Sequence, residues 1–252
     1  MINLPHIPTR PNKPREKGLT MVMDKGLSLN QAQDLMDSSE EYIDIIKFGF
    51  GTGLITKNIT DKIELYKKYN IKTYLGGTLF EAYIIRDMFT EYCELIKKLE
   101  LDTVEISDGC ITMDHNKKCE YINELVNKNI TVLSEVGYKS ENKTMESSQW
   151  VKMMSKEIEA GSWKVIAEAR ESGNVGLYRS SGDVRSDLIE DILTAIPKDK
   201  ILWEAPQKNQ QVWFIKLLGS NVNLGNIGTN DVIPLECLRL GLRGDTFFDF
   251  IK

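Results

Sequence analysis

The chain has 252 residues, 41% of them hydrophobic and 27% charged, which is the balance of a globular protein. A net charge of −5 with a pI near 5.3 argues against a nucleic-acid surface. No apolar run approaches the roughly 18 residues that span a membrane, and the first residues lack the apolar stretch of a signal peptide, so a cytoplasmic protein is expected.

Residues 1–17 carry Pro5, Pro8, Pro11 and Pro14, four of the seven prolines, and read as an extended arm. Residues 18–252 read as one catalytic domain. Leu19–Asp24 is the first strand. Ser28 is placed to cap a helix from Leu29 to about Ser38. Tyr42–Phe48 is the second strand, and Gly49-Phe50-Gly51-Thr52-Gly53 follows as a glycine-rich turn. That turn lacks a Walker lysine and fits GxGxxG poorly, so a nucleotide site is weakly supported. A helix over Thr60–Tyr69, a third strand over Ile71–Leu75 and a long helix from about Leu79 to Leu99 come next. Then come a strand over Thr103–Ser107, a helix over Asn116–Asn127 and a strand over Ile130–Val136. Ser147–Ala160 is a helix stopped by Gly161. The sixth strand starts at Trp163, and Asp183–Ala195 is the helix after it. Ile201–Glu204 and Asn221–Leu224 are the last strands, with a helix over Gln207–Leu218 between them. Gly225-Asn226-Ile227-Gly228 reads as the turn after the eighth strand, and Leu235–Leu240 as the last helix.

Strand–helix alternation implies a parallel sheet, and about eight units in this length imply a closed (β/α)8 TIM barrel. An open doubly wound sheet is the alternative. Several strands end alike, with one ionisable residue before a Gly or Pro. Thr103-Val104-Glu105-Ile106-Ser107-Asp108-Gly109, Ser134-Glu135-Val136-Gly137, Ile166-Ala167-Glu168-Ala169-Arg170 and Trp203-Glu204-Ala205-Pro206 share the pattern. Met23-Asp24-Lys25-Gly26 repeats it with an aspartate, and Ile46-Lys47-Phe48-Gly49 with a lysine. A barrel gathers the C-terminal ends of its strands at one mouth, where such enzymes keep their sites.

Carboxylates crowded at one mouth repel each other unless a cation neutralises them. Oxygen donors without His or Cys suit Mg²⁺ or Mn²⁺. The only histidines are His6 and His115, and the four cysteines have no zinc spacing. The reading therefore takes Mg²⁺ as cofactor, with Asp24, Asp108 and Glu204 supporting the site. Some of these acids could instead form internal ion pairs. The interleaved bases suit an anionic substrate: Lys47, Arg170 and the turn at Gly225 and Asn226 are candidates to bind it. Arg243 is either a further phosphate ligand or a partner of Asp245 or Asp249. Cys110 is placed to line the mouth or to be a bystander.

Asp24-Lys25-Gly26, Gly76-Gly77-Thr78-Leu79-Phe80-Glu81, Glu105-Ile106-Ser107-Asp108-Gly109, Ser134-Glu135-Val136-Gly137, Glu168-Ala169-Arg170-Glu171-Ser172-Gly173, Trp203-Glu204-Ala205-Pro206 and Asn223-Leu224-Gly225-Asn226-Ile227 together resemble the phosphosulfolactate synthase family, in order and over nearly the whole chain. The resemblance implies a Mg²⁺-dependent (β/α)8 lyase that adds sulfite to phosphoenolpyruvate to give (2R)-2-O-phospho-3-sulfolactate. In methanogens that reaction opens coenzyme M synthesis; in spore-forming bacteria it leads to sulfolactate. Glu105, Glu135 and Glu168 are then expected to hold the metal, and Lys139 to deliver the proton to C2. Two alternatives stay open. One is another Mg²⁺-dependent barrel lyase acting on a phosphorylated enol or keto acid. The other is a non-catalytic stress-associated barrel like the plant relatives of the family. Homo-oligomerisation is left open.

Overall fold

The computed structural model describes residues 4–137, 145–169, 172–174, 176–179 and 181–251. Eight parallel strands build the barrel: β1 (Thr20–Asp24), β2 (Ile45–Phe48), β3 (Lys72–Leu75), β4 (Thr103–Ile106), β5 (Thr131–Val136), β6 (Lys164–Ala167), β7 (Ile201–Glu204) and β8 (Leu224–Gly228). They pair in the order β3-β2-β1-β8-β7-β6-β5-β4. β3 and β4 lie side by side at the seam, so the barrel is nearly closed and the open sheet is excluded. Strand residues are buried almost throughout, as expected of strands covered on both faces.

Ten helices clothe the barrel among the described residues: α1 (Leu29–Ser39), α2 (Thr52–Ile55), α3 (Ile59–Lys68), α4 (Gly77–Ile84), α5 (Phe89–Lys98), α6 (His115–Asn127), α7 (Ser147–Glu159), α8 (Ser186–Ala195), α9 (Lys208–Leu218) and α10 (Val232–Arg239). The start of α1 follows from local chemistry. The Ser28 hydroxyl accepts from Gln31 N at 3.2 Å, and Ser28 N donates to Gln31 Oε1 at 2.9 Å. The long helix expected over Leu79–Leu99 is two helices. Asp87 takes φ 57°, and Met88 N turns back to Tyr83 O at 3.1 Å. The break lets α5 fold against α4, where Phe80 and Tyr92 meet edge to face at 5.3 Å.

Period-2 alternation divides the apolar residues into two cores. Val22, Ile46, Val104, Val132, Val165 and Ile201 face the helices. Leu19, Met21, Ile45, Tyr74, Leu133, Ile166 and Leu202 fill the barrel. The arm closes the N-terminal end: Arg10 donates to Gly18 O at 2.9 Å, Arg15 pairs with Asp44 at 2.8 Å, and Lys164 donates to Glu16 O at 2.9 Å.

The stretch Gly225–Gly228 is strand β8 itself, not the turn after it. Its register against β1 slips between Thr20↔Leu224 and Val22↔Ile227. Asn226 sits in that bulge at φ 55°, a left-handed conformation that Asn tolerates better than most residues. The glycine-rich turn after β2 likewise contains the short helix α2.

Candidate active site

One step beyond the inner apolar layer, the inward positions of β2, β4, β5 and β7, and the residue just after β6, are ionisable. Lys47, Glu105, Glu135, Glu204 and Glu168 line a cavity of about 410 Å³ at the C-terminal mouth, and all are buried. Lys47 Nζ lies 2.9 Å from Glu105 Oε2, 3.3 Å from Glu204 Oε1 and 3.6 Å from Glu135 Oε2. Burial alone would lower its pKa. The carboxylates of Glu105, Glu204, Glu135 and Glu168 outweigh burial and hold it well above its usual value. Lys47 is therefore a permanent cation set among four acids.

Burial and the Glu135 and Glu105 carboxylates push Glu204 up to about 7, against the pull of Lys47 and of the hydrogen bond from Ala169 N at 3.0 Å. Oxygens of Glu135, Glu168 and Glu204 lie within 4.8 Å of one another. In an octahedral shell at about 2.1 Å, oxygens stand roughly 3 to 4 Å apart, so this trio could hold a small metal ion after a small contraction. The donor set is all oxygen, which suits a hard divalent cation.

Glu105 is engaged otherwise. Its Oε1 accepts from Gly77 N at 2.5 Å, at the first turn of α4 and across the β3–β4 seam, and its Oε2 faces Lys47. The structure thus groups Glu204, expected as a supporting residue, with Glu135 and Glu168, and turns Glu105 toward Lys47. Gly77 leaves room for these side chains: an added Cβ would meet Ser107 Oγ and come within 2.6 Å of Glu105 Oε1, so both would have to shift.

Two expected supporting acids do not face the cavity. Asp24 has the parity of Val22 and points at the helices. It pairs with Lys62 at 2.5 Å, accepts from Tyr66 Oη at 2.9 Å, and caps the backbone N–H groups of Gly26 and Leu27. Asp108 pairs with the buried Lys118 at 2.8 Å. Arg243 is not among the cavity-lining residues; it faces Asp245 at 3.5 Å near the surface. Gly225 points into the barrel, where a Cβ would lie 2.8 Å from Met21 Cε. Asn226 does line the cavity, and its Oδ1 is buried without a hydrogen-bond partner among the described residues. Lys139 and Arg170 lie outside the described residues. Met23, Phe50, Thr78, Cys110 and Ser172 also line the cavity; Met23 shares the inward parity of Met21 and could have been found from it. Phe50 sits in a turn and Thr78 in the first turn of α4, where the period of the strands does not apply.

Solved structures share the fold at low identity. 3-hexulose-6-phosphate synthase from Salmonella typhimurium superposes with a TM-score of 0.57 at 14% identity, over 88% of this chain and 99% of that one. Sequence relatives lie much nearer. Phosphosulfolactate synthase of Methanothermobacter thermautotrophicus is 42% identical over 244 residues, covering 95% of each chain. The protein of the same name from Bacillus subtilis is 42% identical over 245 residues, covering 96% of this chain and 97% of that one. The family model described as (2R)-phospho-3-sulfolactate synthase (ComA) matches residues 8–245. With that match spanning both the barrel and every acid of its mouth, the chain belongs to the (2R)-phospho-3-sulfolactate synthase family.

Proposed function

We propose that this chain is a phosphosulfolactate synthase, a lyase-class enzyme that joins sulfite to phosphoenolpyruvate with the help of Mg²⁺. The observation that carries the metal part is the trio of buried carboxylates Glu135, Glu168 and Glu204, whose oxygens lie within 4.8 Å of one another at the floor of the cavity. Buried carboxylates held this close repel one another, and a cation bound between them relieves that repulsion. Glu135, Glu168 and Glu204 would hold the cation, with Glu105 fixing Lys47 beside them. When bound there, the cation supplies positive charge for the substrate carboxylate, where negative charge gathers as sulfite adds to the methylene carbon.

The protein's own groups do the rest. Lys47, fixed by three carboxylates, keeps the floor from becoming too negative for an anionic substrate. Thr78 and the Asn226 amide offer uncharged polar contacts in the cavity wall. Arg170 follows Glu168 at the same parity along the chain and is the candidate to hold phosphate or sulfonate. Bond formation at the methylene carbon leaves C2 needing a proton. Lys139, at the same parity as Glu135 beyond the end of β5, is assigned that delivery; a lysine serves when burial and cationic neighbours lower its pKa toward 7.

The test is direct. Incubation with phosphoenolpyruvate, sulfite and Mg²⁺ yields a product heavier than phosphoenolpyruvate by one sulfurous acid, detected by mass. Absence of that product, with phosphoenolpyruvate consumed through another partner, favours a different barrel lyase. Near wild-type turnover by Lys139→Ala removes Lys139 as proton donor.

A further inference from the structure

Behind the ends of β4 and β5, between α6 and α7, lies a second charged cluster that the chemistry above does not use. Lys118 of α6 is fully buried. Its Nζ donates to Asp108 Oδ1 at 2.8 Å and to the backbone oxygen of Glu135 at 2.5 Å, and it pairs with Glu157 Oε1 at 2.8 Å. An ammonium group has three donors, and all three are taken. His115 Nε2 lies 3.1 Å from the same Glu157 oxygen.

The bond to Glu135 has a topological cause. The β4–β5 ladder ends at Ile106↔Ser134, while β5 goes on pairing with β6 through Glu135↔Ile166 and Val136↔Ala167. Val136 O accepts from Glu168 N on the β6 side. Backbone carbonyls alternate along a strand, so Glu135 O faces the β4 side, where no strand remains to donate to it. A buried carbonyl left there would lose its hydrogen bond. Lys118 supplies that bond in place of the missing strand, while the Glu135 side chain points the other way, into the cavity.

We propose that Lys118 is a positioning residue for the metal site: its bond to the Glu135 carbonyl fixes the β5 end and hence the Glu135 carboxylate. This rests on the reading of Glu135, Glu168 and Glu204 as cation ligands. A lysine serving only to neutralise Asp108 and Glu157 would have no need to place its third donor on the backbone of a ligand residue. Groups that orient metal ligands typically change metal affinity about 10–100-fold when removed.

The test is calorimetric titration of Mg²⁺ into wild type, Glu157→Gln, and the double variant Lys118→Met with Glu157→Gln, with thermal unfolding of each. The double variant keeps the volume of the cluster and removes the carboxylate that would otherwise be buried unpaired. Asp108, with a side chain 12% exposed, can turn to water. The expected result is a Mg²⁺ dissociation constant raised at least about tenfold in the double variant, and within about twofold of wild type in Glu157→Gln, which keeps the Lys118–Glu135 bond. Wild-type affinity in a folded double variant overturns the role of Lys118 and leaves the cation site standing. A tenfold loss in Glu157→Gln also overturns it, because charge balance and not the bond would then set Glu135; that arm decides even if the double variant does not fold. Failure of the wild type itself to bind Mg²⁺ strikes the cation reading instead.

Discussion

Replacing Lys47 by methionine keeps the length of the side chain and removes the charge that Glu105, Glu204 and Glu135 face at 2.9, 3.3 and 3.6 Å. Removing one partner of a buried ion pair costs about 3–5 kcal/mol, because the other charge stays behind. For a chain of this size, about 1 kcal/mol moves Tm by roughly 2–4 °C. Lys47→Met in EDTA at pH 8 should therefore melt roughly 10 °C below wild type, read by circular dichroism. Glu204, already raised by burial and by the Glu135 and Glu105 carboxylates, can take up a proton in place of the lost lysine, so its folded pKa lies above its unfolded one. The folded state so binds more protons than the unfolded chain, and stability grows as pH falls. The gap between variant and wild type should narrow from pH 8 to pH 6. Mg²⁺ should stabilise the variant more than the wild type, because the cation no longer competes with an ammonium for the oxygens of Glu135 and Glu204. At about 100 times its dissociation constant a ligand adds roughly 2.7 kcal/mol. A variant within 2 °C of wild type in EDTA, or one stabilised less by Mg²⁺ than wild type, would refute the picture of an acid-rich floor that Lys47 helps to neutralise.

Further outcomes follow from single contacts. Glu204, pushed by burial and by Glu135 and Glu105 up to about 7, must lose its proton to bind a cation. Mg²⁺ affinity should hence weaken as pH falls through about 7, with proton release on binding measurable by calorimetry in buffers of different ionisation heat; a pH-independent affinity between 6 and 8 contradicts this. Asn226→Gly keeps the left-handed backbone and deletes only the amide that reaches the cavity. It should raise KM for phosphoenolpyruvate about tenfold with little change in Tm, the loss of one hydrogen bond to a charged ligand; an unchanged KM removes Asn226 from the substrate's surroundings. Gly77→Ala drives a methyl group onto Ser107 Oγ and Glu105 Oε1. Overpacking of about 1–3 kcal/mol should lower Tm by roughly 5 °C and cut product formation, and a wild-type melting curve would show the seam to be slack.

The barrel and the inward acids were legible because both rest on period 2. Glu105, Glu135, Glu168 and Glu204 each take the inward parity near the end of a strand, and all four line the cavity. The same rule, applied strictly, turns Asp24 and Asp108 outward, since they share parity with Val22 and Ile106. The bulge in β8 was hidden: Gly225-Asn226-Ile227-Gly228 has the composition of a turn, and only pairing with β1 makes it a strand. Lys118 was hidden for a different reason. A lysine in an amphipathic helix reads as solvent-facing, and its burial depends on Asp108, Glu157 and a carbonyl contributed by three other parts of the chain. The bond that engages Glu105 with α4 was equally out of reach, because it depends on which acid the first N–H of α4 meets across the seam.

A crystal grown with Mn²⁺ in place of Mg²⁺ tests the central claim most directly, through the anomalous signal of the ion. One peak is expected in the mouth of the barrel, about 2.1–2.2 Å from oxygens of Glu135, Glu168 and Glu204, with Lys47 still beside Glu105. A cavity without a peak at saturating Mn²⁺, or a peak bound by other residues, would contradict it.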